Sequence, residues 1–245
     1  MSQIKAVITD YIGTLTNARC YTMDASMSKL HRWLLAAGFN TDEKQFLEAY
    51  SEAHEKYRVI RYGELREITN AVWVAETLSS LGLKVEVDDS RMKAALNVFF
   101  QDYIDSLEVR PFAKKLLEKA KENCKLGLIS NFTYGPVVHC SLRKLGLSQF
   151  FNAILVSGDC GWRKPHCNIF ANALKRLQVN AQETVYIGDC PSEDIKGAKQ
   201  MGMRTVFVQS QFYSIADLQA SGEKPDFIMK DIEEIYTNFS KIVEC

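Results

Sequence analysis

Five short apolar runs rich in β-branched residues punctuate the chain, at residues 4–9, 125–130, 153–157, 184–187 and 205–208. None alternates apolar with polar positions. Near-continuous hydrophobicity is what a strand buried on both faces of a parallel sheet carries. Helical patterns lie before and between the last four. Residues 111–123 open with a proline suited to a helix start and carry Phe112, Leu116 and Leu117. Residues 136–145, 168–177 and 193–201 follow, and the tail at 226–244 predicts one short strand and a final helix. This alternation predicts βαβ units and an α/β core, a doubly wound (Rossmann-like) parallel sheet.

The rhythm breaks between the first two runs, where no convincing strand occurs and amphipathic helices take over. Residues 27–37 place Leu30, Leu34 and Leu35 on one side and stop at Gly38. Residues 41–57 begin with Thr41 as a cap, 64–81 stop at Gly82, and 90–107 form a fourth pattern. Trp73, Phe99 and Phe100 fall at helical spacing and suit the interior of such a bundle. A turn at Tyr62-Gly63 would put Arg58, Arg61 and Tyr62 at a helix end. The expected organisation is a core of residues 1–15 and 107–245 with an inserted helical-bundle cap at 16–106.

Charge narrows the function classes. Lys+Arg and Asp+Glu both number 30, so the basic excess of a nucleic-acid binder is missing. No apolar run reaches the roughly 20 residues that span a bilayer. The N-terminus shows no basic, apolar and small-residue leader pattern, so no membrane association and a cytoplasmic address are expected. The 7 cysteines are irregularly spaced with no CxxC, which argues against a disulfide framework or a structural zinc site. His31, His54, His139 and His166 show no ligand spacing.

In a parallel sheet, ligands bind at the carboxyl ends of the strands. Four polar segments fall there: Asp10-Tyr11-Ile12-Gly13-Thr14, then Ser130-Asn131, then Arg163-Lys164-Pro165, then Gly188-Asp189-Cys190-Pro191-Ser192-Glu193-Asp194. A carboxylate can attack phosphorus and split one displacement into two easier ones. The incoming phosphoryl group brings negative charge, and a hard cation with oxygen ligands neutralises it; Mg²⁺ takes one or two carboxylates, waters and the substrate phosphate. Asp10 and Asp189 can supply the carboxylates, with Asp194 nearby. Ser130 and the backbone around Gly13, Thr14 and Asn131 can take phosphate oxygens, and Lys164 adds positive charge. Glu193 reads as a helix N-terminal carboxylate and Cys190 as a small filler.

In order and spacing these motifs resemble the haloacid dehalogenase-like hydrolase superfamily, in its subfamily with a helical cap between motifs one and two. The resemblance covers about residues 1–15 and 108–240, and reaches the cap only in position and helical character. It implies Asp10 as nucleophile and Mg²⁺ ligand, the backbone carbonyl of Ile12 as a second ligand, and Ser130 as phosphoryl holder. It also implies Lys164 as orienting cation, Asp189 as metal ligand and Asp194 in or behind the metal shell. The implied activity is a Mg²⁺-dependent phosphatase of a small phosphorylated metabolite, working through an aspartyl-phosphate intermediate.

One departure bears on mechanism. Family phosphatases carry a second aspartate two residues after the nucleophile as general acid and base; here that position is Ile12. Such help is worth about 10²–10⁴-fold. Relatives that dispense with it include 2-haloacid dehalogenases, which lack the paired acidic motif kept here, and phosphonoacetaldehyde-hydrolase-like enzymes, which use a cap lysine; Lys29, Lys44 and Lys56 are the candidates. Tyr11, Thr16, Tyr21, His54 or Tyr62 could donate a proton instead. A catalytically impaired phosphate-ligand-binding protein is the remaining alternative.

Overall fold

The computed structural model describes residues 3–244; Met1 and Ser2, the start of the N-terminus expected to lack a leader, and Cys245, one of the cysteines expected to be free, lie outside them. Strand β1 (Ala6–Thr9) is fully buried and leads to a short β2 (Thr16–Ala18). Four helices follow: α1 (Met23–Ala36), α2 (Glu43–Glu64), α3 (Asn70–Ser80) and α4 (Ser90–Ser106). The chain returns through β3 (Leu107–Val109), which pairs antiparallel with β2. It then alternates: α5 (Ala113–Lys121), β4 (Lys125–Ser130), α6 (Gly135–Lys144), β5 (Ala153–Val156), α7 (Ser157–Cys160), α8 (Cys167–Leu177), β6 (Thr184–Gly188), α9 (Lys196–Gln200) and β7 (Arg204–Val208). Helix α10 (Ile215–Ser221), strand β8 (Phe227–Met229) and helices α11 (Ile232–Thr237) and α12 (Phe239–Glu244) complete it.

The six-stranded sheet has the order β5-β4-β1-β6-β7-β8, all parallel. The order turns at β1, whose neighbours are β4 and β6, so the carboxyl ends of these three strands define the crevice of a doubly wound fold. One face packs Val7, Leu126, Leu128, Val185 and Val206 against Leu116, Leu117 and Ile235. The other packs Ile8, Ile129 and Tyr186 against Ile169, Phe170 and Ala173 of α8. The cap holds its own cluster, with Leu30, Leu34, Phe46, Trp73, Leu78 and Phe99 all buried. No helix is long and apolar enough to cross a membrane, among the described residues.

Several expectations need correction. The gap expected to lack strands contains β2 and β3, three residues each and partly polar, too short to leave an apolar run. Asp42, not Thr41, caps α2: its carboxylate accepts from the Gln45 amide. That helix runs through the expected turn at Gly63 to Glu64, and the chain turns instead at Leu65 in the left-handed region. Residues 65–69 are not helical, and Arg66 bridges antiparallel to Trp162, so α3 starts six residues later than expected. Leu35 faces solvent, because one residue on from Leu34 the helix has turned about 100°. The helix expected at 193–201 opens as a π turn, Pro191–Ile195. Helix α10 was missed, and the tail holds two short helices, not one.

Candidate active site

Asp10 leaves the carboxyl end of β1, its amide donating to the Ile187 carbonyl of β6 at 2.9 Å. Gly13 then turns the chain with φ 102°, a left-handed conformation glycine adopts without strain. Space demands glycine as well: a Cβ there would stand 2.3 Å from an Asp189 carboxylate oxygen. Thr14 donates its hydroxyl to Asp189 Oδ1 at 3.1 Å. Arg110 holds the Gly13 carbonyl. Ser210, at the end of β7, donates to Asp189 Oδ2 at 2.6 Å.

Lys164 sits at the centre. Its buried ammonium donates to Asp10 Oδ1 at 2.7 Å, Asp194 Oδ1 at 2.6 Å, the Ile129 carbonyl at 3.1 Å and the Tyr186 hydroxyl at 3.2 Å. Asp194 is fully engaged, its Oδ1 also accepting from Tyr186 and its Oδ2 from the Cys190 amide. Gly188 makes room for this, since a Cβ there would meet the Asp194 carboxylate at 2.5 Å. The side chain of Asn131 does not face a ligand: its amide donates to the Lys164 carbonyl and to Glu193, and its oxygen accepts from the Lys164 amide. Glu193 also takes Arg163 at 2.8 Å. It thereby ties the second, third and fourth segments together, a larger part than its expected role at a helix end.

Asp10, Asp189 and Asp194 present carboxylate oxygens within 4.8 Å of one another, all buried. Three buried carboxylates against one ammonium leave excess negative charge. Burial, followed by repulsion from Asp10 and Asp194, lifts the Asp189 carboxyl to about 8. Burial lifts Asp10 to about 6, with Lys164 pulling the other way. Burial opposes the Lys164 charge, yet Asp10 and Asp194 hold its pKa well above the usual lysine value. Asp10 Oδ2 is buried with no hydrogen-bond partner. An orphaned carboxylate oxygen beside two more carboxylates fits an oxygen-binding cation.

A cavity of about 100 Å³ opens on these groups, lined among others by Asp10, Ile12, Ser130, Asn131, Lys164 and Asp189. Of the expected site residues, Gly13 and Thr14 do not line it, being turned to Asp189. A second cavity of about 290 Å³ lies against the cap, lined by Tyr21, Tyr50, His54, Trp73, Phe100 and Tyr103 among others; Asn131 lines both.

The candidate proton donors separate. The Tyr11 hydroxyl is buried on Ser141 and that of Thr16 on the Tyr11 carbonyl. Tyr62 is exposed and stacks on Arg163, 4.1 Å from its ring centre. Tyr21 and His54 line the second cavity. The candidate cap lysines line neither: Lys29 pairs with Asp102, Lys44 with Glu48 and Lys56 with Glu76.

Three contributors were given no role by the sequence, Arg163 being named there only as part of its segment. Ser210 follows a strand end and the strand-end rule reaches it. Arg163 neighbours Lys164. Glu67 carries no local signal, yet it is buried between Arg61 and Arg163, accepts the Ser157 hydroxyl at 2.6 Å, and joins the cap to the loop that carries Lys164.

A family profile described as haloacid dehalogenase-like hydrolase matches residues 88–208. Among curated relatives, a glyceraldehyde 3-phosphate phosphatase of Methanocaldococcus jannaschii is 34% identical over 132 residues, 52% of this chain and 55% of the relative. One of Pyrococcus furiosus is 33% identical over 129 residues, again 52% of each. The chain thus spans about half the length of these two relatives. A third, from Methanopyrus kandleri, is 28% identical over 91% of this chain and 92% of its own. Among solved structures, a 2-haloacid dehalogenase from Pseudomonas syringae superposes with TM-score 0.65 at 23% identity, covering 98% of both chains. A HAD phosphatase from Thermococcus onnurineus gives 0.60 at 21%, covering 98% of this chain and 97% of its own. Both likenesses establish the shared fold, and the profile and the sequence relatives make the chain similar to the haloacid dehalogenase-like hydrolases, the profile over residues 88–208.

Proposed function

We propose that the protein is a Mg²⁺-dependent phosphatase of a small phosphorylated metabolite, with Asp10 as nucleophile and an aspartyl-phosphate intermediate. The observation that carries this reading is the buried triad Asp10, Asp189 and Asp194, with Asp10 Oδ2 unpartnered and Lys164 as the cation bonded directly to the nucleophile. The relatives named as glyceraldehyde 3-phosphate phosphatases support the reaction class.

In this reading Asp10, Asp189 and the Ile12 carbonyl hold Mg²⁺. Asp194, with both oxygens already engaged, backs the shell. When bound, the ion supplies the positive charge that lets an anionic phosphoryl group approach carboxylates. Lys164 fixes one oxygen of Asp10 and neutralises charge that accumulates as the carboxylate attacks phosphorus. Ser130 and the backbone after it, with the amides of the Gly13-Thr14 turn, take the phosphoryl oxygens. Thr14 contributes its backbone alone, because its hydroxyl is committed to Asp189. Residues 1–15 and 107–245 act as the catalytic core and 16–106 as the cap over it.

Release of inorganic phosphate from phosphate monoesters tests this. It should require Mg²⁺, stop in chelator and be lost in Asp10→Asn. Halide release from haloacids without metal, and no phosphate release with it, would replace the phosphatase reading by dehalogenation.

A further inference from the structure

We infer that the substrate is an aryl phosphate monoester, its leaving group a phenol-type ring that carries a hydrogen-bond donor. This rests on the phosphatase reading and names the substrate class. Three independent features converge on it.

The first is the shape and lining of the second cavity. Its volume of about 290 Å³ sits near the lower end of small-molecule sites, roughly 300–1,000 Å³. Its walls are mostly flat rings, among them Tyr21, Tyr50, Trp73 and Tyr103, with His54 packed edge-on to Trp73 at 5.5 Å, and Arg61, paired with Glu67, is the one charged side chain in the lining. Asn131 joins it to the phosphate cavity, and Tyr103 lies near enough to Asp10 for that carboxylate to raise its pKa, after burial and two tyrosines. A leaving group attached to a phosphate at Asp10 therefore enters an aromatic box.

The second is Asn70, at the start of α3. It lines the same cavity and is only 4% exposed, yet its Oδ1 has no partner. Its side chain lies within reach of the Tyr50 hydroxyl, which takes the Trp73 indole N–H at 3.1 Å. An unsatisfied buried acceptor costs stability unless a ligand donates to it. A ring hydroxyl or amine would do so.

The third is Ile12. No acid stands there, the hydroxyls of Tyr11 and Thr16 are tied elsewhere, and of the two donors that line the cavity, burial and then Arg61 disfavour the protonated form of His54 while burial holds the Tyr21 hydroxyl above its ordinary value, so an aliphatic alkoxide is poorly served. A phenol titrates near 10, as tyrosine does, and its anion departs unaided. The Asp10 carboxylate forms the O–P bond as the P–O(aryl) bond breaks. The phenolate keeps the bonding pair and collects a proton from solvent. Water then attacks phosphorus, the P–O(Asp10) bond breaks with its pair returning to the carboxylate, and the water's protons pass to phosphate and solvent. With no base at position 12 this second step is the slower.

The test uses the full chain with Mg²⁺ in rapid-quench assays on ring-substituted phenyl phosphates, para-hydroxyphenyl phosphate, acetyl phosphate and glyceraldehyde 3-phosphate. Phenol release should show a burst near one per active site, and its rate should fall steeply as the phenol becomes more basic. Ile12→Asp should abolish the burst and flatten that dependence. The aryl esters should exceed the triose phosphate in kcat/KM by about 100-fold, the acid's worth at its lower end. Asn70→Leu, and Asn70→Ser should the first not fold, should erase an approximately tenfold preference for para-hydroxyphenyl over phenyl phosphate, about one hydrogen bond. A triose phosphate turned over as well as aryl esters through Asp10, or a donor preference untouched by both Asn70 variants, overturns the inference and leaves the phosphatase reading standing. No turnover of any ester or of acetyl phosphate removes both.

Discussion

The two cavities that meet at Asn131 are built on opposite principles. The one at the sheet ends is small and charged: Thr14, Lys164, Asp194 and Ser210 are each held by hydrogen bonds, and excess negative charge is concentrated where Asp10 Oδ2 is left without a partner. The one under the cap is nearly three times as large and mostly aromatic, with Arg61 its one charged lining residue. In the proposed reading the first carries the reaction and the second chooses what undergoes it. Substitutions at the sheet ends should therefore act on every substrate alike, and those under the cap should act on some and spare others.

The sharpest test of that division is Asp10, the proposed nucleophile. Asp10→Asn should lower phosphate release by at least about 10³-fold for all substrates. A loss confined to some esters would show that the sheet-end cavity is not the common site of chemistry.

Lys164 comes next, in stability as well as rate. Lys164→Met removes the buried partner of Asp10 and Asp194, and breaking such a pair costs about 3–5 kcal/mol. Urea unfolding should show this in midpoint at constant slope. Lys164→Arg should not rescue activity, because a planar fork cannot reproduce four donor contacts converging on one nitrogen.

The pH dependence has a fixed sign. Asp10 and Asp189 are raised by burial to about 6 and about 8, above their ordinary value of 3.8. The folded chain in chelator therefore binds protons that the unfolded chain releases. That stabilisation is fully present below the ordinary carboxyl range and is lost as pH rises through about 6 and then about 8. Thermal midpoints in chelator should fall over this window, and Mg²⁺ should raise them more at its upper end, where it replaces protons as the neutralising charge. A chelator midpoint that rises with pH would contradict the burial of these carboxylates without a cation.

How much of this was legible follows the same division. The strands announce themselves because both faces of the sheet are covered, and the residues at their ends fall into register once the sheet is granted. Asp10, Lys164, Asp189 and Asp194 were all readable that way. The side-chain commitments were not: that Thr14 serves Asp189, or that Asn131 holds the lysine loop, depends on which neighbour lies closest after folding. Glu67 is the extreme case. Its partners Arg163 and Ser157 come from a segment some ninety residues on, and nothing in its own neighbourhood of sequence marks it. The ribbon β2–β3 was invisible because three-residue strands carry no period. The aromatic cavity was invisible because rings at helical spacing read as packing, and only the tertiary fold shows which of them leave space between them.

The smallest expected effect concerns charge on the cap. Lys29, Lys44 and Lys56 each pair with a neighbouring acid on the outside of the helices, and none lines either cavity. An amine that forms a Schiff base must reach the substrate carbon, which these do not, and solvated pairs contribute little to folding. Replacing all three by arginine keeps the charge and removes any imine chemistry. Phosphatase activity should stay within about twofold and the thermal midpoint within about 2 °C, the range of ordinary surface substitutions. Borohydride treatment in the presence of an aldehyde substrate should trap nothing covalently on the cap. A trapped adduct lost with one of the three lysines would move reactive charge onto the cap and dissolve the division between the two cavities, since the cap would then take part in bond breaking as well as selection.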